Sequence, residues 1–304
     1  MFNERSNNNM LKKIRVVIAA FFIAAITLLF LDYTGTIHAY LGWCAKIQLV
    51  PAAFAAFPSF LAVNVAIVAG LLLITFLFGR VYCSALCPLG IFQDIVSRLA
   101  GIGRKNRFAH RPPCKKQIAV RYTIYGIFTV TAIAHIGFVV ALLEPYSAYG
   151  RMVSQILGPV YQWGNNILAG FAERSGSYAF YTVDVWVKGA GALAVAVLTL
   201  AVVAAFAWKS GRGYCNTICP AGAILGLIAK FSLMKPRINK EKCTNCGLCA
   251  KNCKASCVDS ANKKIDYLRC VSCFNCIGCC PQGGIAYSAG AGTAVSSNTK
   301  GVSK

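Results

Sequence analysis

Ten of the sixteen cysteines in this 304-residue chain lie between positions 243 and 280. Eight of them form two runs, Cys243-x-x-Cys246-x-x-Cys249-x-x-x-Cys253 and Cys270-x-x-Cys273-x-x-Cys276-x-x-x-Cys280-Pro281. Three thiolates at i, i+3 and i+6 can wrap one face of a four-iron cubane, and the fourth ligand must come from elsewhere in the chain. This is the bacterial ferredoxin spacing, in which the fourth cysteine of each run serves the other run's cluster. It assigns Cys243, Cys246, Cys249 and Cys280 to one 4Fe-4S cluster and Cys270, Cys273, Cys276 and Cys253 to a second. Structural zinc also takes C-x-x-C pairs, but as two pairs across a longer spacer. Two features depart from the run: Lys254 follows Cys253 where a proline would stand, and Cys257 and Cys279 are extra thiols. Cys257 is therefore an alternative to Cys253 as ligand. The flanks 237–239, 264–266 and 284–286 read as short strands bracketing the cluster loops.

A different cysteine motif occurs twice, as Gly79-Arg80-Val81-Tyr82-Cys83-Ser84-Ala85-Leu86-Cys87-Pro88-Leu89-Gly90 and as Gly211-Arg212-Gly213-Tyr214-Cys215-Asn216-Thr217-Ile218-Cys219-Pro220-Ala221-Gly222. Each proline suits the first position of a helix. Apolar residues follow at helical spacing, Phe92, Ile95, Val96 and Leu99 in one copy and Ile224, Leu227, Ile228 and Phe231 in the other. Cys87 and Cys219 then sit at helix N-termini, where the dipole favours a thiolate. Cys83, Cys87, Cys215 and Cys219 are expected to share a third redox or metal centre, iron–sulfur or another metal; a turn whose cysteines merely pack is the plain alternative.

The elements that must hold these motifs are apolar. Hydrophobic residues make up 57% of the chain and charged ones 13%, and 31 Lys and Arg face 9 Asp and Glu for a net charge of +22. An ordinary soluble domain is about one-quarter charged, and a disordered basic tail would lack the 18 Phe and 13 Tyr. A nucleic-acid partner is not expected, because the charge is sorted into gaps between apolar runs. Four such runs, 16–31, 60–78, 122–143 and 185–208, approach the ~20 residues that cross a bilayer. The successive gaps hold 4, 1, 9, 2 and 14 Lys and Arg. Positive residues stay inside, so both termini, the 79–121 loop and the tail from 209 are expected on the cytoplasmic side of a bacterial inner membrane. Reducing surroundings there favour metal thiolates over disulfides, and the basic run 104–116 suits anionic lipid headgroups. The first run follows basic residues as a signal peptide would, but no small-x-small cleavage site ends it.

The expected fold is an α-helical membrane protein of four transmembrane helices in two parallel repeats, with a C-terminal α+β double-cluster ferredoxin domain. The boundaries read as a first repeat over 1–120, a second over 121–234, the ferredoxin over 235–288 and a disordered end over 289–304. His135 lies inside the third run and His38 just beyond the first. Asp32 and Glu144 end the first and third runs. An ionisable group in or beside a span is a functional candidate, so His135, Asp32 and Glu144 are the quinone-site candidates, the carboxylates as proton acceptors. The Pro-broken segments 46–57 and 151–172 read as horizontal or re-entrant pieces capping the outer face.

Four spans, two G-R-x-Y-C-x-x-x-C-P motifs and a double-cluster tail, in this order over about residues 11–288, resemble the NapH, NosR and CcoG group of membrane polyferredoxins. NosR also carries a large periplasmic flavin-binding part and CcoG an extra C-terminal domain, so the NapH branch is the expected one. The resemblance implies a membrane electron-transfer subunit that takes electrons from quinol, or passes them between the membrane pool and a partner reductase. Two other function classes stand beside it: a Cu(II) reductase acting at the C-x-x-x-C-P cysteines, and an assembly or sensory factor.

Overall fold

The computed structural model describes residues 2–32, 35–59, 62–102, 108, 112–174, 181–185 and 189–289. The expected disordered end and most of the basic run 104–116 lie outside them. The N-terminal helix, Phe2–Leu31, buries Ala19, Phe22, Ala25, Ile26 and Leu29 at intervals of one helical turn. Its opposite face turns Val17, Phe21 and Leu28 outward. A helix that is apolar all round belongs in a large core or a bilayer. Met10–Leu31 and Ala190–Ser210 are long and apolar enough to cross a membrane, while the second run forms a shorter helix, Ala62–Phe78, of 17 residues.

The third run is not one continuous helix, contrary to expectation. Lys115–Ile133 ends at His135, whose φ is 54°, and Gly137–Leu143 restarts on a new axis. The break is a left-handed helix stop: Ile136 N–H reaches back to the Thr131 carbonyl at 2.9 Å and His135 N–H to Ala132 at 3.2 Å, satisfying carbonyls that a continuing helix would have used.

Both C-x-x-x-C-P motifs fold alike. Gly79 and Gly211 take positive φ, 72° and 67°, and short helices Val81–Ala85 and Gly213–Thr217 follow. Cys87 and Cys219 are the extended N-caps of Pro88–Leu99 and Pro220–Lys230. Pro88–Leu99 turns Ile95 and Leu99 outward and buries Gln93, Asp94 and Ser97, whereas Pro220–Lys230 buries small and apolar residues, Leu225 among them, and exposes Leu227, with Phe231 exposed at its end.

Parts of the segments between the apolar runs come in to the motif layer. Tyr82 Oη donates to Gln48 Oε1 at 2.9 Å and accepts from Leu49 N–H at 3.0 Å. Pro145–Met152 brings Tyr149 to within 6.3 Å of the Phe92 ring. Buried polar groups must be paired, and these segments carry the partners that the motif tyrosine and loops require.

In the tail, β1 (Met234–Ile238) pairs antiparallel with β4 (Ile285–Ala289), and β2 (Val258–Asp259) with β3 (Lys264–Ile265). Each cysteine loop uses two left-handed residues around its middle cysteine: Asn245 and Gly247 about Cys246, Ser272 and Phe274 about Cys273. That reversal turns successive cysteines to one side. A bulky residue at φ 60° is strained, and Phe274 is held there by an edge-to-face contact with Tyr287, 5.1 Å between centroids.

Candidate metal centres

The four motif cysteines are buried and meet across the repeat boundary. Burial pushes the thiols of Cys87, Cys215 and Cys219 up; Cys215 adds to the shift of Cys87, and Cys215 and Cys87 add to that of Cys219. The two arginines cross over. Arg212 donates to the Cys83 carbonyl, and Arg80 donates to Asn216 Oδ1 at 3.2 Å while its other terminal nitrogen lies 3.9 Å from Cys83 Sγ. Gln93 of the first repeat donates to Cys215 Sγ of the second at 3.1 Å. The glycine of each Cys-Pro-x-Gly makes room for the crossing. A Cβ on Gly90 would stand 3.1 Å from Arg212 Nη1, one on Gly222 3.0 Å from Arg80 Nη2, and each would collide with a motif carbonyl. Gly90→Ala and Gly222→Ala should therefore each destabilise the chain by about 1–3 kcal/mol as over-packing. Thermal unfolding in detergent checks this; an unchanged midpoint would show that the arginines can yield.

Arg80 and Arg212 are both fully buried, yet among the described residues no carboxylate pairs with Arg80. Only Asp94 answers the others. Its Oδ2 is 2.9 Å from Arg212, 2.8 Å from Lys254 and 3.4 Å from Arg15, and its Oδ1 takes Arg212 Nε at 2.9 Å. Although burial alone would raise it, these cations hold the Asp94 carboxyl well below the usual carboxylate range. One carboxylate thus faces three cations from the N-terminal helix, the second motif and the tail. Asp94 did not enter the sequence reading, although a signal was there: it is the single acid among the nine cations of 79–121.

Lys254 accounts for its departure from the ferredoxin run. Besides the Asp94 pair, its carbonyl accepts from Arg212 N–H at 3.0 Å, and a Cβ on Gly211 would stand 2.5 Å from that oxygen. Arg80 reaches the Leu268 carbonyl at 3.0 Å, and Tyr287 Oη donates to the Phe78 carbonyl at 2.7 Å. The tail is seated on both motifs by these contacts.

Two cavities open within the tail. Cys243, Cys246, Cys249 and Cys280 line one. Cys253, Cys257, Cys270, Cys273 and Cys276 line the other, where Cys253 and Cys257 Sγ stand 3.4 Å apart. Cys279 lies outside both linings, and its sulfur meets the Cys276 carbonyl at 3.4 Å. Each lining is made of converging thiols and backbone with no buried carboxylate, a donor set that suits iron–sulfur chemistry. Among the described residues no three His, Cys, Asp or Glu side chains converge on a single-ion site.

The quinone-site candidates have different surroundings. His135 is exposed on the helix break. Asp32 accepts from the backbone N–H of Gly35 and of His38, each at 2.9 Å, closing the turn after the N-terminal helix. Glu144 is buried, its Oε2 taking the Ser147 hydroxyl at 2.8 Å and its Oε1 without a partner among the described residues. Burial pushes it up to about 7, against the opposing pull of Ser147 and Arg151.

A family model described as a 4Fe-4S binding domain matches the chain twice, over residues 60–107 and 191–240, each copy containing one C-x-x-x-C-P motif. An uncharacterized protein of Methanocaldococcus jannaschii is 33% identical over 97 residues, 32% of this chain and 38% of that one. The methylamine utilization ferredoxin-type protein MauN of Paracoccus denitrificans is 25% identical over 182 residues, 58% of this chain and 48% of its own. The ferredoxin-type protein NapH of Haemophilus influenzae is 25% identical over 213 residues, 67% and 60% respectively. The chain spans about half the length of these curated relatives, and no solved structure matches it. The duplicated 4Fe-4S match lies on the motifs whose buried geometry is itself duplicated, and together with the similarity to NapH and MauN it supports the NapH-type group of ferredoxin-type iron–sulfur proteins.

Proposed function

We propose that the chain is a membrane-bound iron–sulfur relay that carries electrons between quinol and a soluble partner reductase. The observation that carries this reading is the charge imbalance at the repeat boundary: Arg80 and Arg212 are fully buried beside the motif thiols, and of the two only Arg212 is paired with a carboxylate among the described residues. A buried cation without a counter-charge is strongly destabilising. Four thiolates around a metal centre would supply that counter-charge, and the similarity of each motif segment to a 4Fe-4S binding domain supports an iron–sulfur centre. Cys83, Cys87, Cys215 and Cys219 would hold it. In the tail, Cys243, Cys246, Cys249 and Cys280 would hold a second cluster. Cys270, Cys273 and Cys276 would hold a third with Cys253, and Cys257 stands by as its alternative. When bound, such clusters supply one-electron transfer.

The remaining residues bind, orient and shield. Gln93 and the crossed arginines fix the motif thiols, and Lys254 ties the end of the tail's first cysteine run to Asp94 beside them. The outward stripe of Ile95, Leu99, Leu227 and Phe231 fits lipid, as do the exposed apolar faces of the long helices. With Ala62–Phe78 and the broken third run these supply four crossings of the inner membrane, both ends on the cytoplasmic side. Glu144, buried near neutrality and one oxygen free, is the residue suited to take a quinol proton; Asp32 and His135, turned to local backbone and to the surface, suit that role less. The partner reductase is a protein of the soluble side.

Anaerobic purification of the full chain in detergent, with iron and sulfide counts and electron paramagnetic resonance before and after menaquinol, tests the reading. We expect about twelve iron atoms for three four-iron clusters, reduced on mixing with quinol. Zinc without sulfide would overturn the cofactor. Clusters that ignore quinol, yet when pre-reduced are bleached by Cu(II), would make the chain a metal reductase instead.

A further inference from the structure

The two tail cavities face different surroundings. The one lined by Cys253, Cys257, Cys270, Cys273 and Cys276 is turned to the repeats: Cys253, Cys257 and Cys276 are buried, and Lys254 between them spends its charge on Asp94. The other opens outward. Thr244, Asn245 and Cys246 are exposed, Leu248 presents an apolar side chain 39% exposed at the rim, and among the described residues the lining comes from the tail alone. Exposed Lys240, Lys242 and Lys251 surround this opening against a single exposed acid, Glu241. Lys263 holds the rim in shape, donating to the carbonyls of Lys240 at 2.9 Å and Cys243 at 3.2 Å.

An apolar contact point ringed by charge of one sign, at the open edge of a redox site, fits a short-lived encounter. The charge steers and orients the incoming molecule, and the small apolar patch lets it leave again. We infer that the Cys246 edge of the tail is the docking port for an acidic redox protein, which receives or delivers electrons there. This rests on the iron–sulfur relay proposed above and adds the place and the chemistry of the partner. The buried half cannot serve, because its one lysine is neutralised and its thiols are covered by the repeats.

The test uses the full, cluster-loaded chain in detergent, with flavodoxin as an acidic probe protein. Two readouts are taken at low salt: flavodoxin affinity by calorimetry, and the rate at which ferricyanide oxidises the reduced chain relative to cationic hexaammineruthenium(III). Lys240→Glu with Lys251→Glu should weaken flavodoxin binding and lower the ferricyanide-to-ruthenium rate ratio by about tenfold. Lys115→Glu with Lys116→Glu, the same charge change at an exposed helix start outside the lining of this cavity, should leave both unchanged. Equal effects from the two pairs, or none from the first, would overturn the port while leaving the relay intact. A wild-type chain without sulfide would overturn the relay and the port with it.

Discussion

Asp94→Asn should cost the folded chain about 3–5 kcal/mol, the penalty for leaving buried charges without their partner. The magnitude is large because one carboxylate answers Arg15, Arg212 and Lys254 at once, with Arg212 held by both oxygens. The substitution keeps the shape of the side chain, so what it removes is the charge. It also removes what seats the tail, since Lys254 loses its only described carboxylate. Urea titration in detergent followed by limited proteolysis between 231 and 243 reads the two effects separately. We expect a lower midpoint and a newly cleaved tail junction. Lys254→Met should release the tail with a smaller loss of stability, and Lys254→Arg should restore the seating. A pH titration gives an independent check. The folded carboxyl is depressed, so its contribution is fully present above its unfolded value near 4 and lost as pH falls through the lower, folded one. Wild type should lose stability on acidification below about pH 4, and the asparagine variant should lack that component. A variant as stable as wild type would mean that the three cations are satisfied in some other way.

Cys87→Ser and Cys219→Ser should each remove about four of about twelve iron atoms, leaving the tail's two clusters in place. Both cysteines are buried N-caps on opposite repeats, so loss of the same iron from either variant would show a centre shared across the boundary. Cys249→Ser should remove a different four, and Cys114→Ser, whose thiol is exposed, should remove none. Iron and sulfide counts with paramagnetic resonance distinguish these outcomes. If Cys87→Ser and Cys219→Ser deplete two different pools, or deplete nothing, the shared centre is wrong. Loss of the motif iron should also expose the buried Arg80 and Arg212 to an unbalanced core, so both variants should melt earlier than Cys114→Ser.

Some of this protein is written in short stretches of chain. The grouping of cysteines at i, i+3 and i+6, the proline that starts each motif helix and the duplication of G-R-x-Y-C-x-x-x-C-P are local patterns. They are legible because a ligand loop or a helix start is fixed by residues within a turn or two of one another. The apolar runs are legible for the same reason, though their continuity is not. His135 stands out in the third run by its ionisable ring, but nothing in the sequence marks it as the left-handed turn that stops one helix before another starts.

What only the tertiary structure decided is which charges answer which. Arg212 stands 118 residues from Asp94 and Lys254 160, and electrostatic pairing depends on distance through space and on burial, neither of which a sequence spacing encodes. The glycines of Cys-Pro-x-Gly have a reason of each kind: an added Cβ would first strike the carbonyl of its own motif's first cysteine, which is local, and then an arginine arriving from the other repeat, which is not. Lys254 is the clearest instance. In the sequence it is a departure from a ferredoxin pattern, and in the fold it is the tie between that pattern and the motifs beneath it, because a long cation beside Cys253 can reach the one carboxylate buried there.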